Sequence, residues 1–276
     1  MFGKNYFLEN NSNALLLFGV SGAGKTCFIT ALMKYLYNKN ALLIDSEHDK
    51  DGAKHFYNLI KEWSNNKLPS ITPTDQLRGI NFAITKNNSL AKYRIFDLSG
   101  ESIASIERNF NSTIESLVNN NETSVTVFIF IDPTKPSLDQ DLLLHQLYLR
   151  LVNHYNYNFN NVALVLTKSD TLNPNIKSKP LSSYIEKDFT GTFNWINKNV
   201  ANKNFFIFSI GEQDSGDNKF IINQDNKYCE DVVDWLFSHS LKENQSLEVK
   251  SIKSVASFFL KNKKIISEVF ELIIKK

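Results

Sequence analysis

The chain has 276 residues, 42% hydrophobic and 22% charged, with only 10 glycines and 6 prolines. That balance supports one sizeable core and excludes collagen-like, linker-like and wholly disordered chains. Lysine and arginine total 31 against 29 acidic residues, a formal charge of +2, so no broad basic field points to nucleic acid. Two cysteines, Cys27 and Cys229, are too few for a disulfide framework, and no secretory leader opens the sequence. The longest apolar stretch, 125–131, is far below the ~20 residues of a membrane helix. A cytoplasmic protein without a transmembrane segment is expected.

The first element is a short apolar strand at 14–18, followed by a glycine-rich turn and the helical spacing Phe28, Ile29, Leu32, Met33, Leu36. Compact runs at 41–44, 80–85, 93–96, 125–131, 162–166 and 205–210 bring the strands to seven. Helical patterns cover 52–63, 138–152, 184–197 and 230–239, lengths suited to crossovers in a parallel sheet. The turn Lys86-Asn87-Asn88-Ser89 is short enough to make its flanking strands an antiparallel hairpin. The expected fold is therefore α/β, a mainly parallel mixed sheet with helices on both faces. The polar stretch 211–227 reads as a surface insertion, and the run 45–51 as a solvated loop or a partner-binding segment. Residues 1–240 form the α/β domain. Residues 241–276, with eight lysines against four glutamates and apolar residues at helical spacing, form an amphipathic tail. Packing on the domain, docking a partner helix and lying on an anionic membrane are its three readings, in that order.

Gly19-Val20-Ser21-Gly22-Ala23-Gly24-Lys25-Thr26 fits G-x-x-x-x-G-K-[ST] without a mismatch, between a strand and a helix as the motif requires. Such a loop curls its N–H groups around phosphates at the positive end of a helix. Lys25 supplies charge between the β- and γ-phosphates, and Thr26 offers a hydroxyl to Mg²⁺. Gly19, Ser21, Gly22, Ala23, Gly24, Lys25, Thr26 and Cys27 form the expected phosphate-binding set, although small-residue packing is the plainer reading of the Cys27 side chain. After the strand at 93–96 comes Asp97-Leu98-Ser99-Gly100-Glu101. In this order, DxxG places Asp97 near the Mg²⁺ shell and the Gly100 N–H near the γ-phosphate. Strand 162–166 runs into Thr167-Lys168-Ser169-Asp170. There Lys168 can lie along a base face while Asp170 accepts both guanine N1–H and N2–H₂, a donor pair adenine lacks. The five histidines have no metal-ligand spacing.

Taken together, GVSGAGKT, DLSG and TKSD resemble the first, third and fourth motifs of the Ras-like, translation-factor-related (TRAFAC) class of P-loop GTPases, over about residues 14–240. The resemblance implies a fifth motif at Ser209-Ile210-Gly211, where the family usually has Ser-Ala-Lys. It also implies a switch threonine at Thr74, with Thr72 as the alternative. Thr167 stands where asparagine is commoner, and Glu101 where many members carry the glutamine that positions water. The segment 39–70 looks inserted relative to the smallest members, more in the manner of bacterial GTPases of multi-gene systems. The implied function is Mg²⁺-dependent GTP binding with slow hydrolysis to GDP and phosphate, switching a protein effector through its loops and tail. Catalysis would fall to Lys25, Thr74, Gly100 and Glu101, metal binding to Thr26, Thr74 and Asp97, and base recognition to Lys168, Asp170, Ser209 and Ile210. A non-hydrolysing, nucleotide-stabilised binding module is the alternative, and an ATPase or kinase the third reading. Neither nucleic acid nor peripheral membrane contact is expected.

Overall fold

The computed structural model describes residues 13–69, 78–87, 89–97, 124–155, 161–172, 180–214 and 221–240. In chain order these form β1 (Asn13–Gly19), α1 (Lys25–Asn38), β2 (Leu42–Ile44), α2 (Lys50–Ser64), β3 (Arg78–Lys86), β4 (Ser89–Asp97) and β5 (Ser124–Ile131). Then come α3 (Ser137–Tyr155), β6 (Asn161–Leu166), α4 (Leu181–Asp188), α5 (Thr190–Asn199), β7 (Asn202–Ile207), β8 (Gly211–Gln213), β9 (Ile221–Gln224) and α6 (Cys229–Ser240). Seven strands make one sheet in the order β2-β3-β4-β1-β5-β6-β7. From β4 to β7 across that sheet every pairing is parallel, whereas β3 pairs antiparallel with both β2 and β4. The mainly parallel mixed sheet and the 80–85/93–96 hairpin are as expected.

The centre of the sheet has no solvent-facing side. Every residue of β1 is buried, and its side chains alternate between two clusters. Leu15 and Leu17 join Phe28, Phe56, Trp63 and Leu236 on the α1, α2 and α6 face, while Ala14, Leu16 and Phe18 join Leu144, Ile185 and Ile196 on the α3, α4 and α5 face. This is why the central strands read as continuous apolar runs rather than as polar-apolar alternation. Phe28 is the knot of the first cluster, its ring centroid 5.4, 5.1 and 5.2 Å from those of Phe128, Phe130 and Phe208. Trp63 is fully buried, but Trp195 and Trp235 are only partly so.

The structure departs from the sequence reading in four places. Residues 184–197 do not form one helix. The chain breaks between α4 and α5 at Phe189 (φ −133°, ψ 49°), whose side chain is fully buried. Asp141 of α3 restarts the helix by accepting the N–H groups of Gly191 (2.9 Å) and Thr192 (2.8 Å), a cap supplied from a distant segment. Strand β7 begins three residues before the expected 205 and ends at Ile207, leaving 208–210 without regular structure. The 211–227 stretch is not merely a surface insertion. Its β8–β9 hairpin buries Ile221, whose N–H donates to the Asn66 carbonyl (2.6 Å), and Gln224 Nε2 donates to the Trp63 carbonyl (3.0 Å). Nor is 45–51 simply solvated. Asp45 is buried and accepts the His48 N–H (3.0 Å), and Asp49 caps α2 through the Gly52 N–H (2.9 Å) and also takes the Asn81 N–H (3.0 Å). The tail 241–276 lies outside the described residues.

Cys229 opens α6 among the core side chains, and burial, aided by the charge of Asp225, pushes its thiol up to about 12. At pH 8 only about one molecule in ten thousand would carry that thiolate. Mass-spectrometric mapping of iodoacetamide labelling in the folded protein should therefore find Cys229 unmodified until denaturant is added. Labelling of Cys229 at the rate of a free thiol would contradict this packing.

Candidate functional site

The parallel strands β1, β4, β5 and β6 all deliver their C-terminal ends to one edge of the sheet. The register pairs Leu17 with Asp97, Gly19 with Phe130 and Ile131 with Leu166. Strands leave β1 in opposite directions along the sheet, which makes its C-terminal end the switch point where open α/β sheets bind ligands.

The phosphate-loop sequence begins there. Gly19 ends β1 so close to β5 that a Cβ on it would stand 2.8 Å from Phe130 Cβ and 2.9 Å from the Phe130 carbonyl oxygen. The loop then turns through positive φ at Gly22 (73°) and Gly24 (83°), and Gly24 is the N-cap of α1. A side chain at Gly24 would be strained, so glycine is what lets α1 start with its N–H groups turned toward the loop. The Ala23 N–H donates to the Val20 carbonyl (3.1 Å), closing the turn, and Ala23 is fully buried while Ser21 and Gly22 stand exposed at the apex. Lys25 is folded inward. Its ammonium donates to the carbonyls of Gly19 (3.0 Å) and Val20 (3.3 Å). Thr26 is half-buried on the first turn of α1, and Cys27 packs against the core from an intermediate position.

The TKSD segment meets this loop directly. The Thr167 side chain stands 3.7 Å from the place a Cβ on Gly24 would take, and its hydroxyl donates to the Ile131 carbonyl (3.0 Å). Lys168 adopts a left-handed conformation (φ 49°), and Asp170 enters the short turn that follows. Ser209 joins the group from beyond β7. Its buried hydroxyl donates to Asp170 Oδ1 (3.0 Å) and accepts the Gly211 N–H (3.1 Å), while Ile210 turns into the core. A cleft of about 850 Å³ opens beside Asp170, Ser209 and Gly211, walled by Leu181 and Tyr184 of α4 and by Tyr228. The structure therefore brings Gly19, Ser21, Gly22, Ala23, Gly24, Lys25, Thr26, Lys168, Asp170 and Ser209 to one edge. The backbone of Asp97 ends β4 beside β1. Thr74 (with its alternative Thr72), Gly100 and Glu101 lie outside the described residues.

Sequence reasoning missed the loop that joins the two motifs. Asp132 follows the end of β5 and is fully buried. Its Oδ2 accepts Lys168 Nζ (2.6 Å), and its Oδ1 accepts the Thr134 hydroxyl (2.6 Å) and N–H (3.0 Å). Gln140, also buried, completes the brace. Its Oε1 accepts the Asp132 N–H (2.9 Å), and its Nε2 donates to the carbonyls of Asp132 (2.8 Å) and Lys135 (3.2 Å). The available signal was a carboxylate at the end of a parallel strand, followed by Pro133 and Pro136, which restrict the loop to few conformations. Burial alone would raise the Asp132 carboxyl. The hydrogen bonds from Lys168 and Thr134 and the charge of Lys168 more than offset it, holding the group below the usual carboxylate range.

A carboxyl whose folded value lies below its unfolded one stabilises the fold above the unfolded value, and that contribution disappears as pH falls through the folded one. Asp132→Asn should therefore lower stability at pH 7 and flatten the acid limb of the stability curve below pH 4. Breaking a fully buried pair costs about 3–5 kcal/mol. Lys168 is 35% exposed and can be rehydrated, so the expected loss is about 1–2 kcal/mol. Urea midpoints taken from pH 2.5 to 7 would measure it, and parallel curves for the two proteins would refute the role given to Asp132.

A family model described as Double-GTPase 1 matches residues 16–181, more than half of the chain. No curated protein matches it in sequence. Among solved structures, Roco2 RocCORdC from Methanosarcina barkeri, bound to GDP, is similar at 14% identity and a TM-score of 0.41, over 84% of this chain and 50% of that one. The present chain thus spans half the length of that relative. A second, described as nucleolar GTP-binding protein 1 from Plasmodium falciparum, is similar at 12% identity and a TM-score of 0.41, over 95% of this chain and 97% of that one.

Proposed function

The chain belongs to the Double-GTPase 1 family, and from that premise we propose that it binds GTP with Mg²⁺, hydrolyses it slowly to GDP and phosphate, and uses the difference to switch a protein partner. The observation that carries this reading is the meeting of two motifs of different specificity. Thr167 lies where a side chain on Gly24 of the phosphate loop would meet it, so one ligand can span a phosphate cradle and a carboxylate set for a base. Ser209 donates to Asp170 Oδ1, which orients a group able to accept at about four sites and so able to take two guanine donors as well. An adenine would offer it no such pair.

At the other end, the N–H groups at the start of α1 and the Lys25 ammonium would hold the β- and γ-phosphates. Lys25 must then release the carbonyls of Gly19 and Val20, exchanging neutral acceptors for charged ones. Thr26 and Asp97 offer a hydroxyl and a carboxylate, hard oxygen donors of the kind Mg²⁺ takes, and the Asp97 backbone lies two residues along the register from Gly19. Bound Mg²⁺ would offset charge on the β- and γ-oxygens. Water attacks the γ-phosphorus as the bond to the β,γ-bridging oxygen breaks, and GDP leaves with that oxygen. Thr74 and Gly100 would report the presence of the γ-phosphate. Glu101, in place of glutamine, would make water positioning poor and intrinsic turnover slow. The working unit is residues 1–240, with 241–276 as a tail available to a partner, in a cytoplasmic protein.

Titration of the full chain with fluorescent GTP and ATP, with and without Mg²⁺, tests this. GTP should bind in preference to ATP, and Asp170→Ala should weaken GTP binding at least ~100-fold. Lys25→Ala should abolish any phosphate release. Tight GTP binding with no phosphate release would favour the non-hydrolysing module, and equal binding of ATP would overturn the guanine assignment.

A further inference from the structure

Lys135 lies on the braced loop after β5, and its ammonium donates to the carbonyl of Ser21 at the apex of the phosphate loop. It also stands 3.7 Å from the place a Cβ on Gly22 would take. We propose that Lys135 is a second phosphate-binding lysine, delivered in cis over the apex of the phosphate loop to the terminal phosphates of the nucleotide. This rests on the nucleotide reading above and adds a residue to it.

The direction of the ligand follows from what touches what. Thr167 adjoins the phosphate loop at Gly24, so the base-recognition end lies at the α1 side of the loop. A nucleotide that starts at Asp170 and passes Gly24 has its outermost phosphates near Ser21 and Gly22. Those two residues are exposed, whereas Ala23 and Lys25 are buried on the loop floor. Among the described residues, the cation placed at the apex is Lys135.

Its backbone is tied through both its N–H and its carbonyl. The Lys135 N–H donates to the Asp132 carbonyl (3.2 Å), and its carbonyl accepts Gln140 Nε2 (3.2 Å). Asp132 in turn is fixed to Lys168, Thr134 and Gln140. A strap with one end on the base motif and the other on the phosphate loop thus carries the ammonium, so little ordering remains to be done when a ligand arrives. Only the side chain has to move. The Ser21 carbonyl is a neutral acceptor, and a phosphate oxygen a few ångströms away is a charged one, for which an ammonium exchanges partners favourably. Lys25 rests on the carbonyls of Gly19 and Val20 in the same manner. The two lysines, one from the loop and one from the strap, are poised in parallel.

The test is binding of GTP, GDP and GMP to the full chain carrying Lys135→Ala, Lys135→Gln or Lys135→Arg, with the melting temperature of each nucleotide-free variant. Removing a charge-assisted hydrogen bond to the terminal phosphates should weaken GTP about tenfold in Lys135→Ala and Lys135→Gln. GMP binding should stay unchanged, and Lys135→Arg should keep most of the GTP affinity. A weakening shared by alanine and glutamine but not arginine, with the nucleotide-free melting temperatures unchanged, reports charge rather than loop stability. GTP affinity equal to wild type in Lys135→Gln would overturn the proposal and leave Lys135 as a cap on Ser21, as would equal weakening for GTP and GMP. Wild-type protein that binds no guanine nucleotide would instead remove the reading on which the proposal stands.

Discussion

The close approach of β1 and β5 is the constraint on which the rest of the site depends. Gly19 sits against Phe130 with no room for a side chain, and the central strands are buried on both faces. Such strands can present chemistry only where they end. Gly19, Asp132 and Thr167 each follow or finish a strand of this central set, and the polar groups of the proposed nucleotide site hang from them. The core therefore fixes the spacing between phosphate loop and base motif, and the loops only decorate that spacing. Phe28 reinforces this. It ties the first turns of α1 to β5 and to Phe208 just ahead of Ser209, so the helix that starts at the phosphate loop and the segment whose Ser209 bonds Asp170 share one packing contact.

Much of this was legible in the sequence because it is local. The phosphate loop needs glycines at fixed positions where the backbone turns through positive φ, and Gly22 and Gly24 do so. Strands buried on both faces, such as β1, β5 and β6, announce themselves as short apolar runs, and the seven strands of the main sheet were all found. What escaped is non-local. No periodicity reveals that Asp141 of α3 caps α5, so 184–197 read as one helix. Nothing near Ile221 says that its N–H pairs with Asn66, so a pinned hairpin read as an insertion. Asp45 and Asp49 looked solvated because charge runs usually are. Here each carboxylate takes backbone N–H donors that the fold would otherwise strand.

Asp132 escaped for the same reason. Its partner Lys168 is 36 residues away, and a lone aspartate after a strand carries no motif. Once the two are in contact, though, the pair explains a feature that TKSD by itself does not. Lys168 holds a left-handed backbone conformation, which costs a non-glycine residue of order 1–3 kcal/mol and persists only where the surroundings over-determine it. Asp132 anchors the ammonium, the Thr171 N–H anchors the Lys168 carbonyl (3.0 Å), and Thr167 is bonded to Ile131 through both its N–H and its hydroxyl.

Those anchors divide the proposed site into two ends with different energetics. At the base end Lys168, Asp170 and Ser209 are already bonded to one another or to Asp132 in positions compatible with a ligand, so binding there calls for little rearrangement. At the phosphate end the ammonium groups of Lys25 and Lys135 occupy carbonyls of the loop itself, and a polyphosphate must draw both away. On the proposed reading, base recognition would be preorganised and reorganisation would concentrate at the terminal phosphates. Because Asp132 pairs with Lys168 and Lys135 reaches Ser21, the strap would keep its backbone in place while the Lys135 side chain turns to a terminal phosphate. The two ends of the proposed site are then spanned by a short, braced segment of backbone as well as by the core.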